Sequence, residues 1–183
     1  ISINRNNAIK HSTADICLIA DDDLRYTAEQ LQSVITSFNE HPEYQILTFK
    51  YSGDDNKYYP QAPFDLALKK KGYYVSEIEI AFRREVSDKV LFNEYFRPGL
   101  HPLQASEGAI FIHQALSTGI KSLFVPITIT HHAGGVSTGN RTLTPGVLMA
   151  QGAYISIVYP STALLRLPLF AWRSYRRGQT KMF

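Results

Sequence analysis

A short apolar segment that ends in three consecutive carboxylates constrains this chain most. Residues 15–20 read Asp-Ile-Cys-Leu-Ile-Ala, and Asp21, Asp22 and Asp23 follow directly. A run of this length without polar alternation is typical of a strand that is buried on both faces, as in a parallel sheet. Three adjacent carboxylates repel one another unless a cation or hydrogen-bond donors compensate the charge. The segment therefore predicts a strand end that faces a ligand.

Helix and strand signals alternate around this segment. Thr27 and Gln30 form a capping box, which predicts the start of the clearest helix. Its predicted inward face consists of the apolar residues at helical spacing, namely Leu31, Val34, Ile35 and Phe38. The other predicted elements are helices at 4–11 (Ala8 and Ile9 inward) and 106–116, and strands at 15–20, 44–51, 75–82 (with Glu77 and Glu79 exposed) and 123–130. We predict an α/β fold with a mostly parallel sheet flanked by helices.

The carboxyl end of such a strand is where open α/β sheets bind ligands. Alternate residues at a strand end face similar directions, so Asp21 and Asp23 can reach one ligand while Asp22 points elsewhere. Mg²⁺ takes oxygen ligands and usually accepts one or two protein carboxylates together with substrate phosphates. A metal-diphosphate complex would fit this end. The alternative is structural, because acids are also favoured just before the N-terminus of a helix.

Charge is distributed unevenly over the 183 residues. All 16 acidic residues lie within residues 1–107, whereas residues 108–183 carry seven basic residues and no acidic one. A basic C-terminal part suits an anionic surface, a diphosphate or a nucleic acid, or it is a solvated tail. The single cysteine, Cys17, excludes an intramolecular disulfide and favours a reducing compartment.

The C-terminal part is predicted to be helical and amphipathic from residue 141 to residue 183. Thr144 is the predicted cap of its first helix, with Pro145 at the first helical position. Residues 142–165 carry no charge, and residues 164–183 combine leucines, Phe170 and Trp172 with four arginines (Arg166, Arg173, Arg176 and Arg177). This composition is typical of helices that lie in a membrane interface, rather than of a membrane span. The alternative is a helix that packs on the domain or in a dimer contact.

Five phrases in this order resemble the inverting glycosyltransferases of family two. They are residues 5–9 (Arg-Asn-Asn-Ala-Ile), 14–23, 80–84 (Ile-Ala-Phe-Arg-Arg), 92–99 (Phe-Asn-Glu-Tyr-Phe-Arg-Pro-Gly) and 106–108 (Ser-Glu-Gly). The resemblance covers most of residues 2–140 and implies a partial catalytic domain of the GT-A type over 1–140. It also implies that the strand and helix that bind the nucleotide base would precede Ile1. Gly108 departs from the family, which usually has Asp after the Glu at this position.

The resemblance implies transfer of a sugar, with inversion, from a UDP- or GDP-linked donor to a hydroxyl of a carbohydrate or lipid-linked acceptor. A Mn²⁺ or Mg²⁺ ion would act as a Lewis acid on the diphosphate, and a carboxylate would accept the hydroxyl proton. We predict Asp21, Asp23 and His132 (or His131) as metal ligands, Arg5, Asp21 and Asp22 as contacts of the nucleotide-sugar, and Glu107 as the general base. Three alternatives stay open: Glu107 as a charge that stabilises the helix dipole, Arg5 as a solvent-exposed arginine, and the histidine as a surface residue at a strand end.

Other expectations concern the surroundings of this site. Residues 134–139 are rich in glycine and are either a lid over the diphosphate or a plain surface loop. The expected location is the cytoplasmic face of the cell membrane, in the synthesis of cell-surface polysaccharide. A metal-dependent nucleotidyltransferase and a catalytically degenerate GT-A domain are the competing functions. Nucleic-acid binding is disfavoured because the aromatic residues of the basic part are few and clustered.

Overall fold

The computed structural model describes residues 1–53, 57–68, 70, 72–97, 102–132 and 143–180. The helices are α1 (Ser2–His11), α2 (Ala28–Glu40), α3 (Glu107–Ser117), α4 (Pro145–Val158) and α5 (Ala163–Arg176). The strands are β1 (Ile16–Leu18), β2 (Leu24–Arg25), β3 (Ile46–Gly53), β4 (Phe64–Asp65), β5 (Ile80–Arg83) and β6 (Ser122–His132). This α/β architecture confirms the predicted fold class.

The strands form one mixed sheet in the order β1-β5-β3-β6-β2, and β4 pairs with β6. Only β3 and β6 run parallel, while the other described pairings (β1 with β5, β3 with β5, β2 with β6 and β4 with β6) are antiparallel. The expectation of a mostly parallel sheet is therefore wrong for the described strands. In β1 only Cys17 is buried, while Ile16 and Leu18 are half-buried. These apolar side chains join the hydrophobic clusters of the sheet, which an antiparallel pairing allows equally well.

Helix α2 covers one face of the sheet. The predicted capping box is present, since the Thr27 hydroxyl accepts from the Gln30 amide and the Gln30 side chain accepts from the Thr27 amide. Val34 and Phe38 are buried against strand residues such as Leu47 and Phe49. Leu31 and Ile35 are exposed, contrary to the prediction, so the covered stripe of α2 is narrower than its apolar pattern.

Helices α1 and α3 cover the opposite face, where Ile9 of α1 and Phe111 of α3 join one hydrophobic cluster with Phe82 and Phe124 of the sheet. Ala8, predicted to face inward, is exposed instead, because α1 offers its Ser2, Arg5, Asn6 and Ile9 side to the protein. Asn6 exchanges two hydrogen bonds of 2.9 Å with the backbone of Phe92, and the Ser2 hydroxyl donates to Phe96 O. The polar face of α1 is thus fixed to the 92–96 segment.

The predicted strand over 75–82 begins only at Ile80. A 3₁₀ turn occupies Glu77–Glu79, and its Glu79 side chain is fully buried rather than exposed. Ser76 and Glu79 form a second capping box around this turn. The spacing Ser-x-x-Glu in the sequence is a signature of such a box, and it outweighs the alternation that predicted a strand.

The C-terminal helices begin as predicted, with the Thr144 hydroxyl accepting from the Val147 amide and Pro145 at the first helical position. Helix α4 packs on α3 through a cluster that contains Ile110, Val147 and Ala150. In the described part of the chain no single helix is long and apolar enough to cross a bilayer. Helix α4 and the segment Pro160–Arg176, bent by 109° at their junction, reach that length and composition only together.

Candidate active site

A cavity of about 950 Å³ gathers residues that are far apart in the sequence. Its wall contains Arg5 from α1, Asp21 and Asp23 from the segment after β1, Glu107 from α3 and His132 from the end of β6. These five are all but one of the residues predicted for the site. The exception is Asp22, which is exposed and lies outside the lining, so the structure gives its predicted contact with the nucleotide-sugar no support.

Arg5 lies at the centre of the cluster and is only 9% exposed, which excludes the solvent-exposed alternative. Its Nη2 donates to Asp21 Oδ1 at 2.6 Å, and its Nη1 lies 3.5 Å from Glu107 Oε1. The guanidinium also lies 5.7 Å from the centre of the Phe92 ring, and Nη2 is 3.9 Å from Glu77 Oε1. One cation therefore holds carboxylates from the strand end and from α3 together.

Glu107 occupies the first turn of α3 and is 2% exposed. Burial raises the pKa of its carboxyl to about 7, the nearby Glu77 carboxylate adds to the rise, and Arg5 opposes it. Neither Glu107 Oε1 nor Arg5 Nη1 makes a hydrogen bond to another described residue. A buried carboxyl group whose pKa is near neutrality, and whose oxygen makes no hydrogen bond to a described residue, is suited to exchange a proton with a ligand.

The residues beside Glu107 explain the departure from the family sequence. A Cβ atom on Gly108 would lie 2.7 Å from the backbone nitrogen of Glu77, so an aspartate does not fit here without a shift of the backbone. Ser106 has φ 73° and ψ 10°, a left-handed conformation that is unfavourable for a residue with a side chain. The start of α3 thus lies close to the 76–77 segment, and Glu107 faces the cavity. Glu77 also lines the cavity and is a second carboxylate there, which was not among the predicted site residues.

The predicted metal ligands lie in two separate parts of the cavity, with Asp23 beside His132 and Asp21 beside Arg5. Asp23 Oδ2 lies 3.4 Å from His132 Nε2, whereas Asp21 is bound to Arg5. Across the described ranges no three His, Cys, Asp or Glu side chains are close enough to share an ion. Asp23 and His132 together offer one carboxylate and one imidazole, a donor pair that suits Mn²⁺ and leaves positions for phosphate oxygens and water. His131, the alternative ligand, is exposed and has its Nδ1 3.1 Å from the Ser52 hydroxyl.

A buried ion pair supports the wall beside Glu77. The Lys57 ammonium contacts Glu79 Oε1, which also accepts from the Tyr59 hydroxyl at 2.5 Å. Glu79 Oε2 accepts from the Ser76 amide at 3.0 Å, so the pair holds the turn that carries Glu77. The Lys57 ammonium lies within 6 Å of four ring centres, those of Tyr51, Tyr59, Tyr73 and Tyr74. No local pattern in the sequence indicates this cluster, because its members meet only in the folded chain.

The sequence profile of glycosyl transferase family 2 matches residues 1–99, which is more than half of the chain and includes Arg5 and the three aspartates. The chain belongs to glycosyl transferase family 2. This family membership confirms the resemblance drawn from the sequence. A search of curated proteins gives no match.

Crystal structures of S. aureus TarS share the fold of this family 2 chain. The TarS 1–349 structure superposes with a TM-score of 0.60 at 16% identity, over 100% of this chain and 72% of that one. Its UDP-GlcNAc complex gives a TM-score of 0.57 at 15% identity, over 93% and 52%. Another TarS structure gives a TM-score of 0.57 at 17% identity over 85% of this chain, which spans 27% of that TarS chain.

The glycine-rich loop at 134–139 and the last two residues of the 92–99 phrase lie outside the described residues. Three of the family phrases contribute residues to the lining of the cavity, whereas the described residues of 80–84 and 92–97 do not line it. The helix that contains 5–9 supplies Arg5, the strand of 14–23 leads to Asp21 and Asp23, and 106–108 places Glu107 and the close-packed Gly108. These three phrases therefore meet at one cavity, although they span more than 100 residues of sequence.

Proposed function

We propose that this chain transfers a sugar from a nucleotide-diphosphate sugar to an acceptor hydroxyl with inversion at the anomeric carbon. The observation that carries the proposal is the convergence of Arg5, Asp23, Glu107 and His132 on one cavity of about 950 Å³. A volume in this range accommodates a ligand of several hundred daltons. Family membership supports the reaction class, and the TarS complexes with UDP and UDP-GlcNAc make a UDP-linked sugar the first donor to test.

Asp23 and His132 would hold the divalent ion, Mn²⁺ or Mg²⁺, at the diphosphate. When bound, the ion would supply Lewis-acid stabilisation of the charge that develops on the leaving nucleotide diphosphate. Asp21 is held by Arg5 at 2.6 Å. That contact fixes the carboxylate in place, and the second oxygen of Asp21 would accept a hydrogen bond from a hydroxyl group of the donor.

Arg5 has a second part in this proposal. Its Nη1 lies 3.5 Å from Glu107 and makes no hydrogen bond to another described residue. A guanidinium is a planar donor that matches phosphate and carboxylate groups. The cation would keep Glu107 oriented toward the cavity and favour the charged form of that residue.

Glu107 is the proposed general base. With a pKa of about 7, a substantial fraction of its carboxyl groups is ionised at neutral pH and is still basic enough to accept the proton of an acceptor hydroxyl. The deprotonated oxygen would then form the new bond to the anomeric carbon while the bond to the diphosphate breaks. Attack on the face opposite to the leaving group inverts the configuration.

The acceptor would enter from the side of the C-terminal helices. There the cavity is lined by Tyr154, Val158, Tyr159 and Arg166, which combine aromatic surfaces with one cation. Aromatic faces pack against sugar rings or apolar chains, and an arginine pairs with an anionic group. This lining suits either a carbohydrate or a lipid-linked acceptor.

The test is sugar transfer or hydrolysis measured with UDP-linked and GDP-linked sugars in the presence and absence of Mn²⁺. We expect metal-dependent release of the nucleoside diphosphate and a loss of about 100-fold or more in Asp23→Asn. Asp22→Asn is the matched control, because Asp22 is the exposed neighbour outside the cavity, and it should retain activity.

Two results would contradict the proposal. Release of pyrophosphate from nucleoside triphosphates, without turnover of nucleotide-sugars, would identify a nucleotidyltransferase. Binding of a nucleotide-sugar without any turnover by the purified protein would identify a degenerate domain. Equal losses in Asp22→Asn and Asp23→Asn would instead show that the acidic cluster acts only through its overall charge.

A further inference from the structure

The outward face of α5 is apolar although it faces solvent. Leu164 is 88% exposed, Leu165 78% and Trp172 55%, and Leu169 and Tyr175 are also exposed. At about 100° per residue, these five side chains fall within about 140° of the helix circumference. Pro168 lies in the same arc. An exposed apolar stripe of this width on a helix that ends in arginines is not accounted for by the sugar-transfer site.

Arginines flank this stripe on one side. By the same helical spacing, Arg173, Arg166 and Arg177 lie in the roughly 80° next to it. By the same spacing the fourth arginine, Arg176, falls within the arc of the stripe, between Leu165 and Leu169, and its guanidinium lies 5.5 Å from the centre of the Trp172 ring. No acidic residue follows Glu107 in the sequence, so nothing on these helices offsets the positive charge.

The inner face holds α5 to the protein. Leu167 lies near Gly152 of α4, where an added Cβ would be 3.7 Å from the Leu167 side chain, and Ser174 is buried. The amide of Leu143, just before α4, donates to Gln179 O beyond the end of α5 at 3.1 Å. The orientation of the helix is thus fixed with the apolar stripe outward.

We propose that this face of α5 docks the chain on a bilayer that contains anionic lipids. The apolar stripe would enter the boundary between headgroups and acyl chains, and the arginine flank would contact the lipid phosphates and anionic headgroups. Charge decides between this occupant and a second copy of the chain. Two copies of the face would bring arginine flanks together without any acidic partner on α4 or α5, whereas an anionic membrane is complementary to both the stripe and the flank.

The docking face adjoins the cavity. Arg166, on the arginine flank, also lines the cavity together with Tyr159, and its guanidinium lies 4.1 Å from the centre of the Tyr159 ring. Docking would bring this end of the cavity to the membrane surface, where a lipid-linked acceptor would be presented. This last consequence rests on the proposed function, whereas the docking itself does not.

Trp172 makes the docking directly measurable, because it is the only tryptophan in the chain. The experiment is flotation with phosphatidylcholine vesicles that contain either no anionic lipid or about one third phosphatidylglycerol, together with the emission spectrum of Trp172. We expect flotation with the anionic vesicles, a blue shift of the emission and weaker binding at high salt. Each Arg→Gln change at 173 or 177 should weaken binding by about fivefold.

Leu165→Glu should abolish flotation, whereas Ile35→Glu on the exposed side of α2 is the matched control and should float like the unchanged protein. Far-UV circular dichroism and thermal unfolding of each variant separate loss of docking from loss of folding.

Equal flotation of Leu165→Glu and the control overturns the proposal. So does a dimer in solution that Leu165→Glu converts to a monomer without any vesicle binding by the unchanged chain, because the face would then belong to a second copy. Sugar transfer in detergent-free solution reports on the proposed function separately.

Discussion

Glu107 shows how the surroundings of one residue determine its chemistry. Burial and the Glu77 carboxylate raise its pKa to about 7. If Glu107 is the general base, as proposed above, it must be ionised, so kcat/KM should rise with pH and level off above about 7, with activity at pH 5 about 100-fold below the plateau. Glu107→Gln should reduce kcat/KM by about 10²–10⁴-fold on the plateau above pH 7, and the rise with pH should disappear. Initial rates from pH 5 to 9 measure both effects.

Glu77→Gln tests the cause of that pKa. Removal of a like charge favours the ionised form of Glu107, so the rising part of the pH profile should move to lower pH. Glu85→Gln is the control, because Glu85 is exposed and does not line the cavity. A profile that is unchanged in Glu77→Gln, or that moves equally in both variants, would contradict the assignment of the titration to Glu107.

The same pKa affects stability in a direction that can be worked out. Between the usual value near 4.5 and about 7, the folded state keeps a proton that the unfolded state has lost, so the contribution of Glu107 to stability falls as pH rises through this range. Glu107→Gln removes this dependence. Relative to the unchanged protein, the free energy of unfolding of the variant should rise by up to about 3 kcal/mol between pH 4 and pH 8. Denaturant titration at the two pH values measures it without reference to activity.

Gly108 sets a steric limit on the same turn of α3. In Gly108→Ala the new methyl group would meet the backbone of Glu77 at 2.7 Å, and the strain should lower the free energy of unfolding by about 1–3 kcal/mol. Gly152→Ala is the matched control. There the methyl group would lie 3.7 Å from Leu167, and alanine should stabilise the helix by up to about 1 kcal/mol. Equal effects of the two substitutions on thermal unfolding would contradict the close approach at Gly108.

Single residues of the site could be predicted because each carries a recognisable chemistry at a recognisable place. Asp23 and His132 were predicted from strand ends and Glu107 from the family resemblance, and all three line the cavity, although their roles stay predictions. Their partners could not be predicted in the same way. The contact of Asp21 with Arg5 depends on how α1 is oriented, and that orientation is fixed by contacts such as Asn6 with Phe92, which are 86 residues apart.

At the scale of elements, local signals were reliable where they concern the backbone itself. The capping box at Thr27 and the proline after Thr144 mark helix starts correctly, since both depend only on neighbouring residues. Alternation was less reliable. It predicts a strand from residue 75, whereas Glu77–Glu79 forms a turn that is capped by Ser76 and Glu79 and whose buried Glu79 is paired with Lys57.

The pair of Lys57 and Glu79 gives a prediction about this turn. Lys57→Met would leave a buried carboxylate without its cation, which should cost about 3–5 kcal/mol of stability. In the double variant Lys57→Met/Glu79→Gln the buried charge is gone. The oxygen of the new side-chain amide can still accept from the backbone N–H of Ser76, and its nitrogen can donate to the Tyr59 hydroxyl, so part of the stability should return. Urea unfolding of the single and double variants measures the difference.

Lys50→Met is the control for this experiment. Lys50 lies on β3 with its ammonium 5.9 Å from the centre of the Tyr59 ring, so it also faces that tyrosine. We expect its loss to cost less than about 1 kcal/mol. If the double variant of Lys57 and Glu79 were no more stable than Lys57→Met, the ion pair would not be what fixes the turn.

At the scale of the whole molecule, the order and direction of the strands could not be derived from local patterns. The apolar run before Asp21 fits a buried strand in either direction, and which strands become neighbours depends on crossovers over tens of residues. In the sequence, β4, β5 and α3 lie between β3 and β6. In the sheet, β3 pairs antiparallel with β5 on one side and parallel with β6 on the other. The mixed sheet is what brings residue 132 next to residue 23.

Because the cavity joins α1, the segment after β1, α3 and the end of β6, a ligand bound there should stabilise the fold as a whole. Saturation of a site at about 100 times its Kd adds about 2.7 kcal/mol to the free energy of unfolding, which for a chain of this size raises Tm by roughly 5–10 °C. We expect this shift with UDP-GlcNAc and Mn²⁺ together and a smaller one without the metal. His132→Gln should lose the part that depends on Mn²⁺, because its imidazole lies beside Asp23, whereas His131→Gln should keep it, because His131 faces Ser52. An equal shift in both histidine variants would place the ion elsewhere and would leave Arg5 and Glu107 as the groups that respond to the ligand.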